Sequence, residues 1–246
     1  MQKIAILPLA FAIVALNASV SLADHRVAPA PVYLAPGTFD ALDMLPQPPA
    51  SDSRAEKSEL IKLHSIERSR SASDIAQARA DEAERDIFVF KTVLGDKFNA
   101  AALPLTAALS AHVEDDVLAD AEPVKKVFRR VRPYNLDDTL HPVCKLKRKD
   151  DSYPSGHAIT DYVMALTLAS MLPEKRDAIF ARAAAYAHNR LVCGVHHPSD
   201  VEAGKEIAYA LFGRLEASPK FQAERTAAET EVREALGLPA RPNGPE

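Results

Sequence analysis

Residues 157–171 read HAITDYVMALTLASM, and their apolar side chains recur every three or four positions. That period predicts an α-helix. Six further segments repeat it or are rich in helix-forming residues: 60–66, 73–90, 100–119, 174–193, 199–217 and 218–236. Pro173, Pro198 and Pro219 stand near predicted helix starts, where the missing N–H costs little. Because long alternating stretches are absent, we expect an all-α single domain of about seven or eight helices.

The composition excludes several classes of protein. The chain has 246 residues, 47% of them hydrophobic, which is enough for one globular core and too apolar for a disordered chain. Two Cys allow at most one bridge, which excludes a disulfide-dense mini-domain. Thirty basic and 34 acidic residues give a formal net charge of −4, so no global attraction to nucleic acid is expected.

Residues 1–23 have the pattern of a secretory signal peptide. Lys3 precedes an apolar run over residues 4–16, and Ser21 and Ala23 supply small residues at a cleavage site. The alternative is a membrane anchor, but the run is shorter than the roughly 20 residues that a spanning helix needs. No later stretch is long and apolar enough, so we expect no stable membrane insertion and a periplasmic or secreted protein.

Residues 24–52 form a predicted extended arm ahead of the main domain. The arm contains six of the 18 Pro residues, including the pair Pro48-Pro49. Either it wraps over the body or it links to a partner. The helical domain is expected to cover residues 53–240.

Residues 125–134 read KKVFRRVRPY and form the first candidate cluster. Lys125 and Arg132 are seven positions apart, which is two helical turns and places them on one helix face. Pro133 restricts Arg132 to the helix end, where two converging cations could hold an anion such as phosphate. The alternative is a solvated basic face.

Residues 151–157 read DSYPSGH and form the second cluster. Ser155 is a predicted cap for the helix that begins near His157, and Gly156 allows close approach to the backbone. Free N–H groups at a helix start form an anion site, with His157 beside it to exchange a proton. The alternative is an ordinary capped helix with an incidental His.

Residues 189–200 read NRLVCGVHHPSD and form the third cluster. Pro198 is the predicted first residue of a helix, so the carboxylate of Asp200 turns back toward His196. A carboxylate on Nδ1–H leaves Nε2 of His196 free as a nucleophile. Arg190 adds a third cation at the end of the preceding helix, which Gly194 terminates.

Two other interpretations of the third cluster stay open. One is a plain helix–turn–helix corner with a capping Asp. The other is a metal site made of Cys193, His196, His197 and Asp200, although that spacing matches no established zinc pattern.

Together the clusters resemble the type 2 phosphatidic acid phosphatase superfamily, whose pattern is K-x6-R-P, P-S-G-H and S-R-x5-H-x3-D. Lys125 with Arg132-Pro133, residues 154–157, and Arg190 with His196 and Asp200 match it in order and spacing. Within that superfamily the chain is similar to the bacterial class A non-specific acid phosphatases. This likeness extends over roughly residues 33–236 and includes the amino-acid sequences of residues 45–49, 152–157 and 193–196.

The resemblance implies an all-helical, secreted acid phosphatase that hydrolyses small phosphate monoesters through a phosphohistidine. It implies no metal or other cofactor, and it raises phosphotransferase activity and homo-oligomer formation as further expectations. The implied phosphate-binding residues are Lys125, Arg132, Ser155, Gly156 and Arg190. The implied catalytic residues are His196 as nucleophile, Asp200 as its orienting carboxylate and His157 as the proton donor.

Rival functions within this resemblance are a vanadate-dependent haloperoxidase-like enzyme and a lipid phosphate or pyrophosphate phosphatase. A non-catalytic anion-binding protein is a third. The chain departs from the pattern at two places: Asn189 stands where the family usually has Ser, and Ala158 where it often has Thr. If the motifs converge, Cys144 and Cys193 both lie near the pocket rim, and we expect a disulfide between them in preference to two free thiols.

Overall fold

A computed structural model describes residues 29–35, 41–147 and 150–241, and the predicted signal peptide, residues 1–23, lies outside them. The described helices are α1 (Arg54–Ser69), α2 (Ala72–Ala83), α3 (Lys91–Leu94), α4 (Pro104–Phe128), α5 (Pro133–Leu136), α6 (Gly156–Met171), α7 (Arg176–Val192), α8 (Pro198–Glu216) and α9 (Pro219–Leu236). Seven of them have twelve or more residues, and no strand occurs in the described ranges. The prediction of an all-α domain with about seven or eight helices is confirmed. In the same ranges, every helix is too short or too polar to cross a membrane.

Helix α6 lies at the centre of the fold. Thirteen of its sixteen residues are buried. A helix that is apolar on all sides can only be stable when other elements surround it. Helices α4, α7 and α8 pack around α6, while α2 packs on α7 and α9 on α4.

The close approach of α8 to the start of α6 depends on Gly204. A Cβ at this position would lie 2.7 Å from the carbonyl oxygen of Ser155 and 2.9 Å from Cβ of Ala158. The missing side chain therefore lets the two helices touch through their backbones. As a result, the N–H of Ser155 donates to the carbonyl oxygen of Asp200 at 2.9 Å, which joins the second and third sequence clusters.

Two predicted helix boundaries were wrong. The segment over residues 73–90 is not one helix, because Glu84 is extended after α2 and the side chain of Asp86 caps a separate 3-10 turn, Ile87–Phe90. Pro173 begins a 3-10 turn, Pro173–Lys175, so α7 starts only at Arg176. Pro198 and Pro219 are the first residues of α8 and α9, as predicted.

The described parts of the arm lie against the helical body. The backbone N–H groups of residues 32–34 all donate to the carboxylate of Asp116 on α4. Farther along the arm, the hydroxyl of Tyr153 donates to the carbonyl oxygen of Pro46 at 2.8 Å. Of the two alternatives for the arm, these contacts favour the one in which it wraps over the body.

Candidate active site

The three sequence clusters meet at a cavity of about 120 Å³ beside the first turn of α6. Its lining consists of Arg85, Val117, Leu118, Ala121, Lys125, Arg132, Lys147, Asp151, Gly156, His157, Arg190 and His196. Six of the eight residues predicted for the site are in this lining. The other two, Ser155 and Asp200, are fully buried behind it.

The first cluster reaches the cavity by a different route from the predicted one. Helix α4 ends before Arg129, which has a left-handed backbone with φ of 47°, and Arg132 is extended because Pro133 follows it. Lys125 and Arg132 therefore do not share a helix face, and that expectation was wrong. They converge because both side chains donate to the carbonyl oxygen of Asp151, at 2.7 Å and 3.3 Å respectively.

The second cluster forms the predicted helix cap. The hydroxyl of Ser155 accepts from the N–H of Ala158 at 3.4 Å, and α6 begins at Gly156. The N–H of Ser155 is already engaged by the carbonyl oxygen of Asp200, so it is not available to a ligand. The amides of Gly156 and His157 follow it in the first helical turn, where no intrahelical acceptor exists.

His157 is a buried imidazole among cations. Its side chain stacks on Tyr186 with ring centroids 6.4 Å apart, and its Nε2 has no hydrogen-bond partner among the described residues. Burial lowers the pKa of His157 well below its usual value, and the charges of Arg190 and Arg85 lower it further. A bound anion would act in the opposite direction and favour the protonated ring.

The third cluster orients His196 between a carboxylate and a guanidinium. Its Nδ1 lies 3.4 Å from Oδ2 of Asp200, in the first turn of α8, and its Nε2 lies 3.3 Å from Nη1 of Arg132. Burial and then the charge of Arg132 lower the pKa of His196 well below its usual value, so the ring is neutral. The carboxylate assigns the proton to Nδ1, which leaves the lone pair of Nε2 on the cavity side.

Only part of the Arg190 guanidinium is engaged: its Nη1 donates to Sγ of Cys193 at 3.7 Å. Its side chain is fully buried at the end of α7, and Nε and Nη2 have no hydrogen-bond partner among the described residues. The nearest carboxylate oxygen, Oε1 of Glu82, lies 3.7 Å from Nη2. Unsatisfied buried donors are costly, and an anion in the cavity would satisfy them.

Sequence reasoning missed the residues that hold Asp200. Its Oδ1 accepts from Nη1 of Arg130 at 2.7 Å, and its Oδ2 accepts from Oγ of Ser152 at 2.6 Å and from the N–H of His197 at 2.8 Å. Burial alone would raise the pKa of Asp200, but the hydrogen bond from His196 and the charge of Arg130 hold it well below its usual range. Arg130 and Ser152 stand inside the quoted clusters, yet no spacing signals that they face Asp200.

Arg130 also joins Asp200 to helix α1. Its Nη2 donates to Oε2 of Glu56 at 2.7 Å and to Oε2 of Glu59 at 2.6 Å. Glu56, Glu59 and His197 form the one group of described residues whose ligand atoms are close enough to share a metal ion. Because the guanidinium of Arg130 already bonds to both glutamates, we interpret this group as an ion-pair network.

A disulfide joins Cys144 to Cys193, as predicted. It ties the loop before the second cluster to the turn that carries His196. The sulfur of Cys193 is therefore not available as a ligand, which contradicts the metal site made of Cys193, His196, His197 and Asp200.

Both departures from the family pattern lie outside the cavity lining. The side-chain amide of Asn189 donates to Oδ2 of Asp81 at 2.7 Å, and that carboxylate also accepts from Arg182. Ala158 is fully buried at the contact between α6 and α8, next to Gly204. Neither side chain faces the groups that line the cavity.

Known proteins are similar in sequence to this chain. Residues 100–219 match the PAP2 superfamily. The chain is 30% identical to a non-specific acid phosphatase of Salmonella typhi over 212 residues, which is 82% of this chain and 84% of that protein. It is 28% identical to a non-specific acid phosphatase of Providencia stuartii, over 78% of this chain and 81% of that one. It is 29% identical to an acid phosphatase of Zymomonas mobilis, over 80% of this chain and 76% of that protein.

The matched segment contains every residue that was predicted for the site, from Lys125 to Asp200. The relatives in turn align with 82% and 78% of the chain, a longer stretch than that segment. The fold, the cavity and these similarities agree: the chain belongs to the PAP2 superfamily, together with the bacterial non-specific acid phosphatases.

Proposed function

We propose that this protein is an exported acid phosphatase that hydrolyses small phosphate monoesters through a phosphohistidine on His196. The geometry that carries the proposal is His196, whose Nδ1 lies 3.4 Å from Oδ2 of Asp200, beside a buried Arg190 whose Nε and Nη2 have no hydrogen-bond partner among the described residues. The predicted signal peptide over residues 1–23 supports export to the periplasm or the medium. The names of the relatives support the reaction class.

The substrate phosphate would be held by cations and by amides of the first turn of α6. Lys125, Arg132 and Arg190 would bind the non-bridging oxygens, helped by the N–H groups of Gly156 and His157. Such preorganised positive groups stabilise the charge that develops on a transferring phosphoryl group. In this proposal the protein cations do what a metal ion does in other phosphatases.

The first chemical step forms a bond from Nε2 of His196 to phosphorus and breaks the bond to the ester oxygen. Asp200 stabilises the phosphorylated ring through Nδ1–H. His157 gives its proton to the departing alkoxide, so the leaving group is a neutral alcohol. In the second step His157 takes a proton from water, whose oxygen attacks phosphorus and releases His196. An alcohol in place of that water would give phosphotransferase activity.

An acidic working range follows from the charges around His157. His157 must be protonated to donate, but burial and neighbouring cations lower its pKa. The bound phosphate raises that pKa, and a low pH helps further, so the rate falls as pH rises. At still lower pH the protonation of His196 removes the nucleophile, which gives a bell-shaped profile.

The test compares His196→Ala with His188→Ala, a change of an exposed His on α7. With p-nitrophenyl phosphate and a chelator present, we expect the first variant to lose at least about 1,000-fold in kcat and the second to stay within about twofold. Alkaline quenching and mass spectrometry should find phosphate on the peptide with His196 in the unaltered protein. Substantial turnover by the His196→Ala variant would exclude the nucleophile, and no hydrolysis between about pH 4 and pH 8 would exclude the function.

A further inference from the structure

Two further cations line the cavity beyond the three that match the family pattern. Arg85 comes from the link after α2, and Lys147 comes from the loop between α5 and α6. The sequence clusters did not include Arg85 or Lys147. Their presence in the lining gives the cavity more positive charge than one phosphate group needs.

The five cations lie at two depths. Lys125, Arg132 and Arg190 are 8%, 3% and 0% exposed and form the bottom of the cavity. The side chains of Arg85 and Lys147 are each 34% exposed and form its mouth. A ligand whose phosphate reaches the bottom must therefore pass these two cations.

The carboxylates of the cavity leave this charge only partly balanced. Among the described residues of the lining, Asp151 is the one carboxylate, and its Oδ1 accepts from Nε of Arg132 at 2.7 Å. At the mouth, Nε of Arg85 pairs with Oε1 of Glu114 at 3.1 Å, which leaves its two Nη groups to face a ligand. Oε1 of Glu82 is 3.9 Å from Nζ of Lys147, beyond hydrogen-bond distance. Burial lowers the pKa of Lys147, and the charge of Arg190 lowers it further, which an anion at the mouth would reverse.

We propose that Arg85 and Lys147 form a second anion subsite, and that the preferred substrates are phosphate monoesters bearing a second phosphate group. A second phosphate carries about two charges and three acceptor oxygens, so it can bind the fork of Arg85 and the ammonium of Lys147 together. A single carboxylate, with one charge and two oxygens, satisfies them less well. The substrate preference rests on the proposed function, whereas the subsite itself is a property of binding.

The binding test uses propylphosphonate and propane-1,3-bisphosphonate, which contain no hydrolysable ester. Calorimetry on the unaltered protein should show the bisphosphonate bound about tenfold tighter. The double variant Arg85→Met/Lys147→Met should reduce that ratio to about twofold or less. The control Lys62→Met/Lys175→Met removes the same charge from exposed positions outside the cavity, and it should keep the ratio.

The kinetic test uses propyl phosphate and propane-1,3-diol bisphosphate. The charge of Arg85 also lowers the pKa of His157, so both substrates are measured at the same pH and compared as a ratio. The double variant should lower the ratio of kcat/KM for the bisphosphate to that for the monophosphate about fivefold or more. Both variants are checked for an unchanged thermal midpoint, since the altered side chains are partly exposed.

Each outcome separates the subsite from the phosphatase activity. Three results would overturn the subsite. The unaltered protein could bind the two phosphonates equally or bind neither. The double variant could also keep the affinity ratio of bisphosphonate to monophosphonate. If the double variant loses the affinity ratio but the unaltered protein hydrolyses no ester, the subsite is supported and the proposed function is refuted. Hydrolysis of both esters with a kcat/KM ratio unaffected by the double change would refute the substrate preference alone.

Discussion

Replacing Arg130 by methionine should remove the cation that joins three buried carboxylates. The guanidinium bonds to Asp200, Glu56 and Glu59 at 2.6–2.7 Å, and the Arg130 side chain is 5% exposed. Methionine keeps much of the length but none of the charge. The side chains of the three acids, which are 0%, 3% and 13% exposed, would therefore face one another without their shared cation. Removing one partner of a buried ion pair costs about 3–5 kcal/mol, and we expect the free energy of unfolding at pH 7 to fall by that amount.

The loss should depend on pH with a defined sign. Burial alone would raise the pKa values of Asp200 and Glu56, but Arg130 and the neighbouring histidines hold both below their usual values. A carboxylate with a lowered folded-state pKa adds stability above its unfolded pKa, and that stability is lost as pH falls through the folded value. Without Arg130 the folded-state pKa values rise. The difference between the two proteins should therefore be greatest near neutral pH and shrink in acid.

The assay is urea unfolding at several pH values, with Arg129→Met as the matched control. Arg129 is the preceding residue, 72% exposed, and it pairs with Asp150 at 2.8 Å. Loss of an exposed pair costs about 1 kcal/mol or less. Because Asp200 orients His196, the Arg130→Met variant should also lose kcat toward p-nitrophenyl phosphate. Equal losses of stability in the two variants, or a loss for Arg130→Met that does not vary with pH, would refute the reasoning.

Three other changes test the fold around the site. Gly204→Ala should cost about 1–3 kcal/mol, since its Cβ would lie 2.7 Å from a backbone oxygen, whereas Gly213→Ala on the same helix meets nothing within 4 Å and should stabilise by about 0.5–1 kcal/mol. Changing Cys144 and Cys193 to Ser should cost about 2–4 kcal/mol, because the bridge closes a loop with a sequence separation of 49. Burial raises the pKa of Asp161 well above its usual value, so Asp161→Asn should stabilise the protein increasingly as pH rises from about 4 toward neutrality.

These three predictions have clear contradicting results in thermal or urea unfolding. If the Gly204→Ala variant has the same free energy of unfolding as the Gly213→Ala variant, the backbone contact of α6 and α8 is contradicted. Equal unfolding midpoints for the double Ser variant and the oxidised protein would show that the bridge adds nothing. An advantage of Asp161→Asn that stays constant with pH would mean that this carboxyl is ionised in the folded protein.

Local signals in the sequence were enough for the fold class and for parts of the site. The apolar period of three to four residues predicts helices, and the cap at Ser155 and the helix start at Pro198 follow from the chemistry of one or two turns. The convergence of the three clusters came from the resemblance to a family. Both kinds of inference succeed because they use residues that are close in sequence or a pattern with fixed spacing.

Spacing alone gave a wrong prediction for Lys125 and Arg132, because the helix between them ends early. Seven positions separate Lys125 from Arg132, which indicates one helix face only if the helix continues. It stops before Arg129, whose left-handed backbone turns the chain, and Pro133 holds Arg132 extended. The two cations meet at Asp151 through the return of the loop before α6, a contact that no local rule contains.

The sequence by itself determined an all-helical chain with capped helices and the residue types of a phosphate site. Only the tertiary structure showed that Arg130 holds Asp200 and that Arg85 and Lys147 line the same cavity as the three cations of the pattern. Arg129 and Arg130 are adjacent and chemically identical, yet one is exposed and the other is buried against Asp200, 70 positions away. The physical reason is that burial and pairing depend on how α8 packs on α6 through Gly204, and that contact brings together groups far apart in the chain.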